Sequence, residues 1–142
     1  RPKSSAASDV YKRQINNLWS KTMAKILFNI TNGTNNATKA TLGFMLARTA
    51  VEEGHEVSVF LNADAVSLVR QPVLDNLVGL GTGSLKEHFK ILFEANVPIY
   101  VSAIACEIRG VTQEDLDINK CKKVLPKTLF NLSLNADRTF VY

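Results

Sequence analysis

Short apolar runs alternate along the chain with longer segments whose apolar residues recur at helical spacing. Residues 25–31, 56–61 and 99–102 are rich in apolar, β-branched and aromatic side chains, which is typical of buried strands. Residues 40–51 and 85–95 carry apolar side chains at near-helical spacing. The order strand, helix, strand predicts right-handed crossovers and therefore a parallel sheet.

The last part of the chain gives weaker signals. Residues 121–125 are a poor strand, and we include them mainly because Pro126 suits the first position of a following helix. Residues 138–142 form the last predicted strand. Five strands with helices between them predict an α/β fold, a three-layer α/β/α sandwich with a mostly parallel five-stranded sheet.

Charge is distributed unevenly over the 142 residues. The formal net charge is +4, but residues 1–22 hold five basic residues and one acidic residue, whereas residues 23–142 hold twelve of each. The second of these segments is therefore neutral. A neutral domain gives no reason to expect nucleic acid or a membrane surface as a partner, and we predict neither.

Residues 1–22 lack apolar periodicity and are rich in Ser, Ala, Lys and Arg. They contain no apolar core long enough for a secretory signal. We expect a disordered, non-native leader, because Met23 followed directly by a strand is typical of an authentic start. The expected organisation is a leader at residues 1–22 and one domain at residues 23–142, located in the cytoplasm.

The two cysteines, Cys106 and Cys121, stand fifteen residues apart, without a Cys-x-x-Cys pair or a nearby pair of histidines. This spacing does not support a zinc site, and we predict no metal and no cofactor. In a reducing cytoplasm both cysteines would be free thiols.

A family resemblance rests on two motifs. Asn-Val-Pro at residues 96–98, the apolar strand after it and then Arg109-Gly110-Val111 resemble the DsrE/DsrF-like family of small α/β proteins, as do Phe-Leu, two residues and Asp64-Ala65-Val66. The resemblance covers residues 23–142 and implies the same sandwich architecture. Some members carry sulfur on a cysteine eight residues before the glycine of the Arg-Gly pair. Here that position is Ser102, and Cys106 comes four residues later.

In open α/β sheets, ligands bind beyond the carboxyl ends of the strands. The candidate ligand-binding residues at these ends are Asn32, Gly33, Asp64, Ser102 and Arg109. Ser102 could bind a ligand oxygen or cap the next helix, and Arg109 could act in the site or only pair with Asp64 or Glu107. For nucleophilic catalysis Ser102 would need a base, which we do not expect from His55, before a strand, or from His88, on a predicted surface helix.

Two further candidates remain open. Cys106 is the candidate catalytic residue if Arg109 stabilises its thiolate, and otherwise an inert core thiol. The loop that contains Gly81, Gly83 and Ser84 could hold an anion at a helix start, or could simply connect two helices.

Three functions are compatible with these residues. The first is a non-catalytic small-ligand-binding or accessory member of a sulfur-handling family. The second is a persulfide carrier that uses Cys106, and the third is a homo-oligomeric assembly module with no active site. The resemblance implies a dimer, trimer or hexamer and a sulfur-relay protein as partner. We expect some of the apolar residues of segment 68–80 to contact another subunit.

Overall fold

The computed structural model describes residues 7–10 and 23–142. Residues 7–10 form an exposed helical turn. The rest of the predicted leader lies outside the described residues, so its disorder stays a prediction. Within the two described ranges, no helix has the length and apolar character needed to cross a membrane.

Five strands form one sheet in which every neighbouring pair is parallel. They are β1 (Lys25–Ile30), β2 (Glu56–Leu61), β5 (Ile99–Ser102), β6 (Cys121–Val124) and β7 (Arg138–Val141). Their order across the sheet is β6-β5-β2-β1-β7. Two further strands pair antiparallel as a separate hairpin, β3 (Val78–Gly79) and β4 (Gly83–Ser84).

Six α-helices connect the strands: α1 (Ala37–Glu52), α2 (Gln71–Asn76), α3 (Leu85–Glu94), α4 (Ala103–Ile108), α5 (Gln113–Ile118) and α6 (Pro126–Asn135). A 3-10 helix precedes α1 (Thr34–Asn36), and a second follows β2 (Ala63–Val69). The predicted α/β sandwich with a mostly parallel five-stranded sheet is confirmed, as is Pro126 in the first turn of a helix.

The chain steps from β1 to β2, β5 and β6 in one direction across the sheet and then returns to the opposite edge at β7. Because crossovers between parallel strands are right-handed, the helices of the forward steps lie on one face of the sheet. The helix of the return step, α6, lies on the other face.

The face covered by α1 to α5, here called the first face, carries the main core. Strand residues alternate between the faces, and register partners in parallel strands share a face, so Phe28 and Val59 point to the same side. Phe44 of α1, Leu92 of α3 and Leu116 of α5 belong to the same buried cluster. Helices from all three crossovers therefore pack on one surface.

The opposite face, here called the second face, is covered more thinly. Leu27 and Phe60 point to this side and are buried. None of the residues of α6 is buried, however. Leu132 of this helix lines a cavity of about 210 Å³ together with Ser58 and Tyr100 of the sheet. α6 thus covers the second face without packing closely on it.

Leu68, Val69 and Leu74 of segment 68–80 are buried within the chain, and the expectation that some residues of this segment contact another subunit stays a prediction. These side chains belong to the chain's own buried cluster, because the 3-10 helix after β2 and α2 fold onto the first face. Val78 and Leu80, in the β3–β4 hairpin, are exposed. The apolar character of this segment is therefore explained mainly by burial within one chain.

Candidate functional site

The loops after β1 and β2 approach each other closely at the carboxyl edge of the sheet. A Cβ atom at Gly33 would lie 2.1 Å from the backbone oxygen of Asp64, which is far inside van der Waals contact. Only glycine allows this approach. The backbone N–H of Gly33 donates to Asn35 Oδ1 at 2.7 Å, and Asn35 Nδ2 donates to Asn32 Oδ1 at 3.1 Å. The loop after β1 thus satisfies its own polar groups.

Arg109 and Asp64 form an ion pair across this edge. Arg109 Nε and Nη2 donate to Asp64 Oδ1 at 3.1 and 3.0 Å, and Arg109 Nη1 donates to the backbone oxygen of Ala105 at 3.5 Å. Both charged side chains are partly exposed. Of the two partners suggested for Arg109 by the sequence, Asp64 is the one in contact. Within the described residues, both hydrogen bonds from Arg109 end on Oδ1 of Asp64, and none is formed to its second carboxylate oxygen.

Ser102 ends β5 and caps α4. Its Oγ accepts a hydrogen bond from the backbone N–H of Ala105 at 3.5 Å, and the side chain is 8% exposed. This is the predicted capping role, in which a serine oxygen satisfies a free N–H group of the first helical turn. Ser102 shares its face of β5 with Tyr100, on the side of the sheet that α6 covers.

Cys106 lies one turn into α4 and is 1% exposed. Burial raises the pKa of its thiol, and the positive charge of Lys123 opposes this only in part. Burial also raises the pKa of the Cys121 thiol to about 12, with the charge of a Cys106 thiolate as a smaller cause. Both groups are therefore held as thiols at neutral pH, and thiols are poor nucleophiles.

The loop with Gly81, Gly83 and Ser84 is the tip and second strand of the β3–β4 hairpin. Ser84 occupies the position before α3, but its side chain makes no capping hydrogen bond there. The hairpin packs on α1, where the Thr82 and Thr41 hydroxyls hydrogen-bond. Among the described residues, no side-chain hydrogen bond joins the hairpin to Asp64 or Arg109. The loop is thus part of a hairpin packed on α1, and its role as an anion site stays a prediction.

Neither histidine is placed to act on Ser102. His55 Nδ1 accepts from the backbone N–H of Ala24 at 3.1 Å, at the amino end of the strands. His88 was expected on a surface helix but is buried, because the hairpin folds over it and its Nε2 donates to the Thr82 backbone oxygen at 2.7 Å. In the part of the chain that the structure describes, no group of three or more His, Cys, Asp or Glu is placed to hold a metal ion.

The sequence analysis missed two apolar residues near the site. Ile104 and Ile108 of α4 are exposed, whereas Ala105 and Cys106 of the same helix are buried. The spacing of four residues was the available signal, because residues four apart lie on one side of a helix. The carboxyl edge therefore combines the Arg109–Asp64 pair with an exposed apolar strip.

These features define a class, namely a small α/β protein with a candidate binding site at the carboxyl edge of a parallel sheet. Residues 24–142 match the DsrE/DsrF-like family, and the chain belongs to this family. The family assignment made from residues 96–98, 64–66 and 109–111 is thereby confirmed.

The chain is similar to one curated protein by sequence and to two solved structures by fold. An uncharacterized protein of Methanocaldococcus jannaschii, MJ0760, is 30% identical over 87 residues, which are 61% of this chain and 32% of that protein. The chain thus spans about a third of the length of this curated relative. The crystal structure of the ychN protein from E. coli superposes with a TM-score of 0.70 at 21% identity, over 84% of this chain and all of that one. The structure of a conserved protein of unknown function from Bacteroides thetaiotaomicron, BT1422, superposes with a TM-score of 0.62 at 12% identity, over 86% of this chain and all of that one.

Proposed function

We propose that the protein is a non-catalytic, small-ligand-binding or accessory member of a sulfur-handling family. The supporting observation is Ser102, which stands at the carboxyl end of β5, where the sequence resemblance puts the acceptor cysteine of sulfur-carrying members. A hydroxyl oxygen cannot accept a sulfane sulfur as a thiolate does. The ligand in this proposal is held by Arg109 and Asp64, beside the glycine loop at Gly33.

The geometry of Cys106 disfavours the carrier alternative. A carrier thiol must reach the persulfide of a partner and must lose its proton to attack it. Cys106 is almost fully buried, and burial raises its pKa, so both requirements are opposed. In this proposal the protein works in the cytoplasm, beside a sulfur-relay protein that transfers sulfur itself.

Intact mass spectrometry after incubation with a persulfide donor tests this proposal. The unchanged chain should gain no sulfur. Ser102→Cys places a thiol at the end of β5 and shows whether a thiol at this position is sufficient for a gain of one sulfur atom. Ser102→Ala is the matched control, since it also removes the hydroxyl but adds no thiol. Both substitutions are also made in the Cys106→Ala variant, so that any sulfur gained can be assigned either to position 102 or to Cys106.

A stoichiometric gain of one sulfur by the unchanged chain that disappears in Cys106→Ala would overturn the proposal in favour of the carrier. Native mass spectrometry of protein taken directly from cells addresses the ligand. A bound small molecule that is lost in Arg109→Gln, with the fold unchanged, supports the binding role. Protein that carries no ligand in such preparations favours the assembly module.

A further inference from the structure

A cavity of about 210 Å³ lies between the end of α6 and the sheet, towards the amino ends of the strands. The starts of β1 and β2, together with Tyr100 of β5, form one wall, and the last turn of α6 with Ala136 forms the other. The Arg109–Asp64 pair lies beyond the opposite ends of these strands, at the carboxyl edge. The cavity is therefore separate from the candidate site described above.

The sheet wall of this cavity is polar because of the register between β1 and β2. Lys25 and Glu56 are register partners and share the second face, and Ser58, two residues after Glu56, points to the same side. Lys25 and Glu56 are exposed at the mouth, whereas Ser58 and Tyr100 are half-buried. A sheet face that only packed against a helix would carry apolar residues at these positions.

Lys25 and Glu56 bring opposite charges to the mouth of the cavity. Four ion pairs are formed within the described residues, and neither Lys25 nor Glu56 belongs to one of them. A third charged group nearby, the carboxylate of Asp137, accepts the backbone N–H of Lys25 at 2.8 Å. The mouth thus presents an ammonium and a carboxylate side by side, and both can bind groups of a ligand.

The end of α6 adds a negative potential to one wall. The helix ends at Asn135, and the N–H of Ala136 after it donates to the Ser133 backbone oxygen. The last carbonyl groups of a helix lack intrahelical partners and carry a partial negative charge, which favours a cation. Asn135 and Ala136 both line the cavity. The helix end and Glu56 together favour an ammonium group, whereas Lys25 favours a carboxylate.

We propose that this cavity binds a small zwitterion of the α-amino-acid class. The ammonium group of the ligand lies between Glu56 and the end of α6, and its carboxylate binds the Lys25 ammonium. The apolar part of the ligand packs against Leu132 and Pro98, which also line the cavity.

The volume of the cavity limits the size of this ligand. A cavity of about 150 Å³ holds benzene, whereas pockets for drug-sized ligands begin at about 300 Å³. At about 210 Å³ the cavity lies between these two sizes and has room for a molecule such as leucine. Larger ligands, such as nucleotides, do not fit.

Nitrogen-15 NMR titration of the full chain with three probes tests the proposal. Leucine carries both charges, isocaproate lacks the ammonium group and isoamylamine lacks the carboxylate. Leucine should shift the amides of Ser58 and Tyr100 with a Kd in the millimolar range, because so small a ligand has few contacts. Each analogue should bind about tenfold more weakly or worse, because it loses one charge-assisted hydrogen bond.

Three results of this titration would overturn the proposal. The first is the absence of a saturable shift at about 20 mM leucine, well above the expected Kd. The second is an analogue that binds as tightly as leucine, because recognition would then need only one of the two charges. The third is a set of shifts confined to the surroundings of Asp64 and Arg109, because leucine would then bind at the carboxyl edge.

Two charge-removing variants test the assigned roles by a crossed pattern. Lys25→Gln should weaken leucine by about tenfold or more but leave isoamylamine unchanged, whereas Glu56→Gln should weaken leucine and leave isocaproate unchanged. Both residues are exposed, so the circular dichroism spectrum should stay the same. Lys39→Gln and Glu114→Gln, at exposed positions on α1 and α5, are the matched controls and should bind all three probes normally. Uniform weakening in all four variants would contradict the assignment.

Ser58→Ile tests the cavity itself. The larger, β-branched side chain suits a strand and fills the space beneath α6, so it should abolish saturable binding of all three probes. Urea unfolding of the same variant shows whether the fold is retained, and Ser58→Ala, which adds no bulk, is the second variant and should still bind leucine. Normal binding of leucine by a folded Ser58→Ile variant would overturn the proposal.

Discussion

The two faces of the sheet are formed by the same strands but are covered very differently. Five α-helices and a 3-10 helix bury apolar side chains on the first face, whereas α6 alone covers the second face, with none of its residues buried and a cavity of about 210 Å³ beneath it. Polar strand residues lie on the second face, among them Ser58, Tyr100 and Ser102. The comparison teaches that the buried apolar contacts of the fold are concentrated on the first face.

The largest difference is expected between two leucine-to-lysine substitutions. Leu74→Lys places a charge without a partner in the first-face core and should destabilise the fold by about 3 kcal/mol or more. Leu134→Lys, on the outward side of α6, should change the stability of the monomer by about 0.5 kcal/mol or less. Urea unfolding followed by circular dichroism, at a concentration where the chain is monomeric, measures both. Equal losses of stability in the two variants would contradict the conclusion that the two faces are covered unequally.

A second pair of variants compares matched leucines on helices of the two faces. Leu92→Ala in α3 removes a fully buried side chain and should cost about 3 kcal/mol. Leu132→Ala in α6 removes a half-buried side chain that already borders a cavity, so we expect about 1 kcal/mol. The free energies of unfolding from urea titration give both values. A loss at Leu132 as large as that at Leu92 would show that α6 packs as closely as α3.

The smallest difference between two variants is expected at two helix caps, Ser102 of α4 and Thr112 of α5. Ser102→Ala should destabilise the protein by about 0.5–1 kcal/mol, at the low end for a helix cap, because the hydrogen bond to Ala105 is long at 3.5 Å. Thr112→Ala is the control, since Thr112 caps α5 within a capping box and receives the N–H of Asp115 at 3.2 Å. Thermal unfolding measures the loss of stability in Ser102→Ala and in Thr112→Ala. A loss at Ser102 well above that at Thr112 would mean that the hydroxyl has partners beyond the cap.

The main sheet could be predicted because its strands have local signals. β1, β2 and β5 are apolar runs between turn or helix signals, and β6 was found through Pro126 despite its lysines. The hairpin β3–β4 could not be predicted, because its strands have two residues each and are held by Thr82 against Thr41, which lies far away in the chain. The burial of His88 depends on the same long-range packing.

The candidate site could be predicted only to the level of the edge on which it lies. The rule that ligands bind at strand ends brought Gly33, Asp64 and Arg109 together. In the structure the backbone of Asp64 lies against Gly33, and its carboxylate binds Arg109. The rotation of α4 about its axis could not be read from six residues. For this reason the exposure of Ile104 and Ile108 became apparent only in the fold, whereas the burial of Cys106 fits the inert core thiol already considered from the sequence.

The lysines of β6 also have a consequence for solubility. The edge of a sheet presents unpaired backbone N–H and C=O groups, and charged side chains beside them discourage pairing with strands of other molecules. Lys122 and Lys123 are exposed on β6, at one edge of the sheet. Replacing both lysines by threonine should therefore make the protein more prone to aggregate.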